Sequence, residues 1–85
     1  MIDLARVRAE TPGVAHRLHL NNAGASLMPQ PVVDAVVGHL RREAEIGGYE
    51  TASEAEAAVS GVYGSVARLI GAAPDEIALT ENATV

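Results

Sequence analysis

The stretch Ile77-Ala78-Leu79-Thr80-Glu81-Asn82-Ala83-Thr84-Val85 constrains this chain more than any other. Ile77 to Thr80 reads as a short buried strand, and Glu81-Asn82-Ala83-Thr84 as a turn opening a helix for which no residues remain. A strand without neighbours leaves its N–H and C=O groups unpaired, and a helix start aims unpaired N–H groups beyond the strand's carboxyl end. In open α/β sheets an anion or ligand sits at that junction. The sequence therefore predicts the N-terminal piece of a larger molecule, ending on half of an anion site.

The rest of the composition supports an incomplete fold. At 85 residues the chain makes one domain at most, and its 48% apolar share is rich in alanine, with two Tyr and no Phe or Trp. Alanine buries little area, so at about 25 cal/mol per Å² the core barely offsets chain entropy. No cysteine is present to cross-link it. Eleven acids against six arginines, a net charge of −5, leave no basic stripe and disfavour nucleic acid as a partner. Met1-Ile2-Asp3-Leu4-Ala5-Arg6 is no signal pattern, and no apolar run approaches the roughly 18 to 20 residues of a membrane span. A cytoplasmic location is the expectation, with no membrane partner. There is no lysine, so no side chain here can form a Schiff base.

In chain order, Ile2, Leu4, Ala5 and Val7 over Asp3, Arg6, Arg8 and Glu10 predict a short amphipathic helix stopped by Thr11-Pro12-Gly13. Val14 to Leu20 predicts a brief strand, Leu18 and Leu20 alternating with polar neighbours. His16 and His19 lack the i, i+4 spacing of a zinc pair and have no third ligand nearby, which favours ordinary surface or half-buried histidines. Asn21-Asn22-Ala23-Gly24-Ala25-Ser26 is a loop of small residues, with Gly24 admitting close approach.

Pro29 and Pro31 suit the first turn of a helix over 29–46 whose stripe is Val33, Val36, Val37, Leu40 and Ala44, with His39 beside it. Gly47 and Gly48 predict its left-handed end. They lack the remaining residues of a phosphate loop. Tyr49 is either a packing plug or a residue lent to a site. A second helix over 52–70 is expected to start at Ser53 with Glu56 completing a capping box. Its stripe is Ala55, Ala58, Val59, Val62, Val66, Leu69 and Ile70, with Gly61 and Gly64 permitting close packing and Gly71 closing it. The predicted organisation is a single partial domain, 1–85, with an N-terminal segment 1–28, helices 29–46 and 52–70, and a strand with the start of a helix over 77–85.

The order of motifs says more than any one of them. His19-Leu20-Asn21-Asn22-Ala23-Gly24-Ala25-Ser26, then Val32-Val33-Asp34-Ala35-Val36, Gly47-Gly48-Tyr49-Glu50, and Pro74-Asp75-Glu76 through Thr84 resemble the N-terminal part of class V aminotransferase-fold enzymes. That family of pyridoxal 5'-phosphate (PLP) enzymes includes the cysteine desulfurases. The nearest resemblance is to its ergothioneine-pathway lyase and epimerase-like branch. It implies an α/β fold, the N-terminal part of a fold type I PLP-dependent transferase, helix-rich with two short strands and incomplete on its own. It also implies an amino-acid substrate and association with the remainder of the enzyme or a homodimer partner.

The resemblance implies roles residue by residue. Ala83 and Thr84 match the step that holds the PLP phosphate through backbone N–H groups and a hydroxyl, with Asn82 standing where the family often has Gly. Asn22 matches the loop near the substrate carboxylate, and Tyr49 a loop that approaches a site. The family's lysine, pyridine-nitrogen acid and ring-stacking residue match nothing here, so no catalytic residue is expected on this chain and it is predicted inactive alone. Two other readings stand beside this one: a non-catalytic helical interaction module, and an inactive truncated gene product.

Overall fold

Three helices form, α1 (Leu4–Ala9), α2 (Gln30–Ile46) and α3 (Gly48–Ile70), the first two where periodicity and punctuation place them, with 3₁₀ turns at Pro12–Ala15 and Pro74–Glu76. The structure is a computed structural model and describes residues 1–85. It contains no β-strand, which corrects the expectation of two. It resolves into two units, Met1–Ile46 and Gly47–Val85.

In the first unit, Asp3 caps α1 by accepting the Arg6 N–H at 3.1 Å. The Thr11 hydroxyl donates to the Val7 carbonyl at 2.7 Å, and Pro12 then turns the chain into the 3₁₀ turn. Beyond Ala15 the expected strand over 14–20 does not form. Leu18 and Leu20 are 89% and 81% exposed, because alternation makes a strand only when another strand takes up its hydrogen bonds.

The segment between α1 and α2 is instead held by three nested closures. At its base the Gln30 N–H donates to the Glu10 carbonyl at 2.6 Å. Inside that, Leu27 lies so close to Gly13 that a Cβ there would stand 2.7 Å from Leu27 Cδ2. Innermost, His19 Nε2 meets the Ala25 carbonyl at 2.7 Å.

α2 opens as its prolines predict, the Val32 and Val33 N–H groups donating to the Pro29 carbonyl at 3.0 and 3.2 Å. Its polar side carries Gln30–Asp34, His39–Glu43 and Arg42–Glu45 pairs. Of the predicted stripe only Val33 is half-buried, and Val36, Val37, Leu40 and Ala44 remain exposed.

In the second unit α3 begins at Gly48, more than a turn before the expected Ser53 cap. The Thr51 N–H and hydroxyl both donate to the Gly47 carbonyl, at 3.1 and 2.8 Å, and this double bond to one oxygen starts the helix. Ser53 and Glu56 therefore lie inside α3, and no capping box forms there. Gly47 has φ 98° and ψ 158°, an extended positive-φ conformation that suits glycine and differs from the left-handed cap expected. Gly71 does take the left-handed conformation (φ 73°, ψ 31°), and its N–H and that of Ala72 fold back onto the Ala67 carbonyl.

The Pro74–Glu76 turn packs back on α3, with Glu76 Oε2 accepting the Ala73 N–H at 2.8 Å. Ala67, one step off the expected stripe, is the buried apolar residue. Ala55 and Val66 are half-buried, whereas Ala58, Val59, Val62, Leu69 and Ile70 are exposed. A Cβ on Gly61 would meet nothing within 4 Å, and on Gly64 only Arg68 Nη1 at 3.6 Å, so neither serves close packing here. Ile77 is extended (φ −100°, ψ 129°), but Ala78–Thr80 finds no partner strand, and 81–85 is a turn without a following helix. No helix is long and apolar enough to cross a membrane.

Candidate functional site

The turn after Thr80 is where the sequence placed an anion site. Its geometry is that of a helix opening. Asn82 Oδ1 accepts the Thr84 N–H at 2.9 Å and the Val85 N–H at 3.2 Å, the bonds an N-cap makes to the second and third helical residues. The Thr80 hydroxyl donates to the Asn82 carbonyl at 3.1 Å and fixes the approach. Asn82 thus bonds as a cap does, although residues 81–85 form a turn and no helix.

Two successive N–H groups converging on one oxygen form a concave donor pair of the kind that takes up anionic oxygens. Here the side-chain oxygen of Asn82 fills that point. Pyridoxal phosphate is the group the resemblance implies, and the donor types suit its phosphate end: backbone amides and the Thr84 hydroxyl are neutral and belong to exposed residues. A phosphate oxygen would have to take the place of Asn82 Oδ1. Glu81 adds an acid to the same exposed turn, and no cation follows Arg68 in the sequence. The fit is therefore to the phosphate alone, and without lysine no side chain here can form a Schiff base with the cofactor's reactive carbon.

Tyr49 stands on the first turn of α3 at 93% exposure, so it plugs nothing in its unit. Asn22 opens the turn 22–24 at the tip of the nested loop and is exposed. Gly24 beside it meets only the Asn21 side chain, at 3.6 Å and beyond, so no part of the chain crowds it. Asn82, Ala83 and Thr84 are brought together by hydrogen bonds. Asn22 belongs to the first unit, and Tyr49 with the cap turn to the second.

Sequence reasoning missed His19. It is half-buried between exposed Leu18 and Leu20, and closes the loop that carries Asn22. Its partner is a backbone carbonyl, which leaves no mark in a residue pattern. Neither His16 nor His19 takes part in a group of side chains able to hold a metal ion.

Comparison with known proteins places these features in context. The chain is 40% identical over 75 residues to a probable hercynylcysteine sulfoxide lyase of Mycobacterium tuberculosis, covering 88% of this chain and 19% of that protein. It is 32% identical over a 94-residue alignment to a probable cysteine desulfurase of Halobacterium salinarum, covering 98% of this chain and 23% of that protein. The chain spans about a fifth of the length of these curated relatives. No protein-family model matches it, and no solved structure does. Both relatives are class V PLP-dependent enzymes, and the chain is homologous to them over this short stretch, as the order of its motifs indicated.

Proposed function

We propose that this chain serves as the N-terminal segment of a PLP-dependent class V enzyme, holding the phosphate of the cofactor and lining part of the substrate pocket. The observation that carries this reading is the convergence of the Thr84 and Val85 N–H groups on one oxygen. The two relatives support the cofactor class. Both are named for chemistry on a cysteine-derived compound, so a sulfur-bearing amino acid is the substrate class proposed. When bound, the cofactor supplies an electron sink for charge developing at the substrate Cα.

This chain's residues bind and orient. Ala83 and Thr84 hold the phosphate through backbone N–H and hydroxyl, a phosphate oxygen replacing Asn82 Oδ1 at the Thr84 and Val85 N–H groups. Asn22, a neutral donor at an exposed tip, receives the substrate carboxylate, and Tyr49 forms a pocket wall. The covalent anchor, the ring-stacking group and the acid at the pyridine nitrogen come from the remainder of the enzyme or a homodimer partner.

The test is a chimera in which this chain replaces the aligned stretch of the Mycobacterium tuberculosis lyase, with cofactor uptake read from visible absorbance. Uptake is expected. Thr84→Val then weakens cofactor affinity about tenfold, near 1.4 kcal/mol, by removing one charge-assisted hydrogen bond, and Thr84→Ser keeps it. A chimera that takes up no cofactor, or a Thr84→Val variant with undiminished affinity, overturns the proposal.

A further inference from the structure

Of the three closures that hold the segment between α1 and α2, the innermost is the one that reaches the tip. His19 Nε2 lies 2.7 Å from the Ala25 carbonyl, and the loop between them contains Asn22. A carbonyl can only accept, so Nε2 carries the proton and donates it. His16 is exposed and makes no such bond, which supplies a control within the same chain.

The tip needs such a bond. No sheet flanks it, Leu18 and Leu20 ahead of it are exposed, and the two outer closures act farther out, at Gly13–Leu27 and Glu10–Gln30. With only the outer closures the residues of the tip would be joined by a long flexible loop, and fixing each costs about 1–2 kcal/mol of backbone entropy. One hydrogen bond across six residues offsets about 0.5–1.5 kcal/mol of that cost and ties the two ends of the tip together.

We propose that His19 is a positioning residue: it fastens the Asn21–Ser26 loop so that Asn22 is presented in one orientation. The use of that orientation for a substrate carboxylate rests on the function proposed above. His19 itself touches neither substrate nor cofactor.

Two measurements test it, and they fail separately. On the 85-residue chain, NMR reads exchange of the His19 ring N–H against that of His16, and the backbone order parameters of Asn21–Gly24 in His19→Phe. The His19 N–H is expected to be protected about tenfold relative to His16, the scale of one hydrogen bond, and His19→Phe to lower the order parameters of the tip below about 0.6. Equal exchange at both histidines, or tip order parameters indifferent to His19→Phe, overturns the inference.

In the lyase chimera, His19→Phe is expected to raise KM for the amino-acid substrate about tenfold while cofactor affinity stays within about twofold. His19→Gln, whose amide nitrogen stands where Nε2 does, restores KM, and His19→Asn, which imitates Nδ1, does not. Cofactor affinity falling in parallel with KM, or Gln rescuing no better than Asn, overturns the positioning role. A chimera that takes up no cofactor counts against the proposed function alone, and the NMR measurement then decides the fastening.

Discussion

Thr51 is buried to 3% exposure, and its hydroxyl has one partner, the Gly47 carbonyl at 2.8 Å. Valine has nearly the same volume and no donor. Because the Gly47 carbonyl also accepts the Thr51 N–H at 3.1 Å, it stays paired after the change, and Thr51→Val should cost only about 0.5–1 kcal/mol. Gly47 is the less replaceable member of the pair. A side chain at φ 98° is strained, and its Cβ would lie 2.6 Å from Glu50 Oε2. Gly47→Ala is therefore expected to cost about 1–2 kcal/mol and to fray the first turn of α3. Circular dichroism through a urea titration orders the two variants, and an alanine variant as stable as the valine one would refute the assignment. At this scale the sequence marked Gly47 as special but misjudged what it does. Gly47 faces forward into the helix it starts, because Thr51 lies at the right spacing to close on its carbonyl.

Helices are the elements whose existence sequence could establish, since each one closes its own hydrogen bonds. The Pro29–Pro31 opening, the 3.6-residue periodicity and Gly71 located α2 and the end of α3 to within a residue or two. Strands are defined by neighbours, and the runs Val14–Leu20 and Ile77–Thr80 have none, so their alternation was read correctly as pattern and wrongly as structure. The turn at 81–85 forms for the opposite reason, since Asn82 closes it with its own side chain, but no helix follows it. The interior glycines follow the same division. Gly38 and Gly61 lie within α2 and α3, and a Cβ on either would meet nothing within 4 Å. Gly38→Ala and Gly61→Ala should each stabilise their helix by about 0.8–1 kcal/mol in the isolated chain, seen as higher mean ellipticity. A fall in helicity for either would mean that its side is already occupied.

At the scale of the whole molecule, each unit holds its helices without a core. Val36 and Leu40 on α2 are 51% and 60% exposed, and Val59 and Leu69 on α3 are 59% and 84% exposed. Chains of this size without disulfides or metals seldom remain folded with their apolar faces in water. The same residues offer a test of whether these faces belong inside a larger fold. Leu40→Ser and Val59→Ser should change the stability of the isolated chain by less than about 0.5 kcal/mol, because the side chains they remove are already hydrated. Placed in the lyase chimera, the same substitutions should each cost about 2–4 kcal/mol, the range for deleting a covered aliphatic side chain. Thermal denaturation of both backgrounds reads the difference. Equal, small effects in the two would mean that the stripes stay in water even beside the rest of an enzyme. The periodicity that identifies them would then serve a different partner, as an interaction module requires, and the proposed assembly would lose its packing basis.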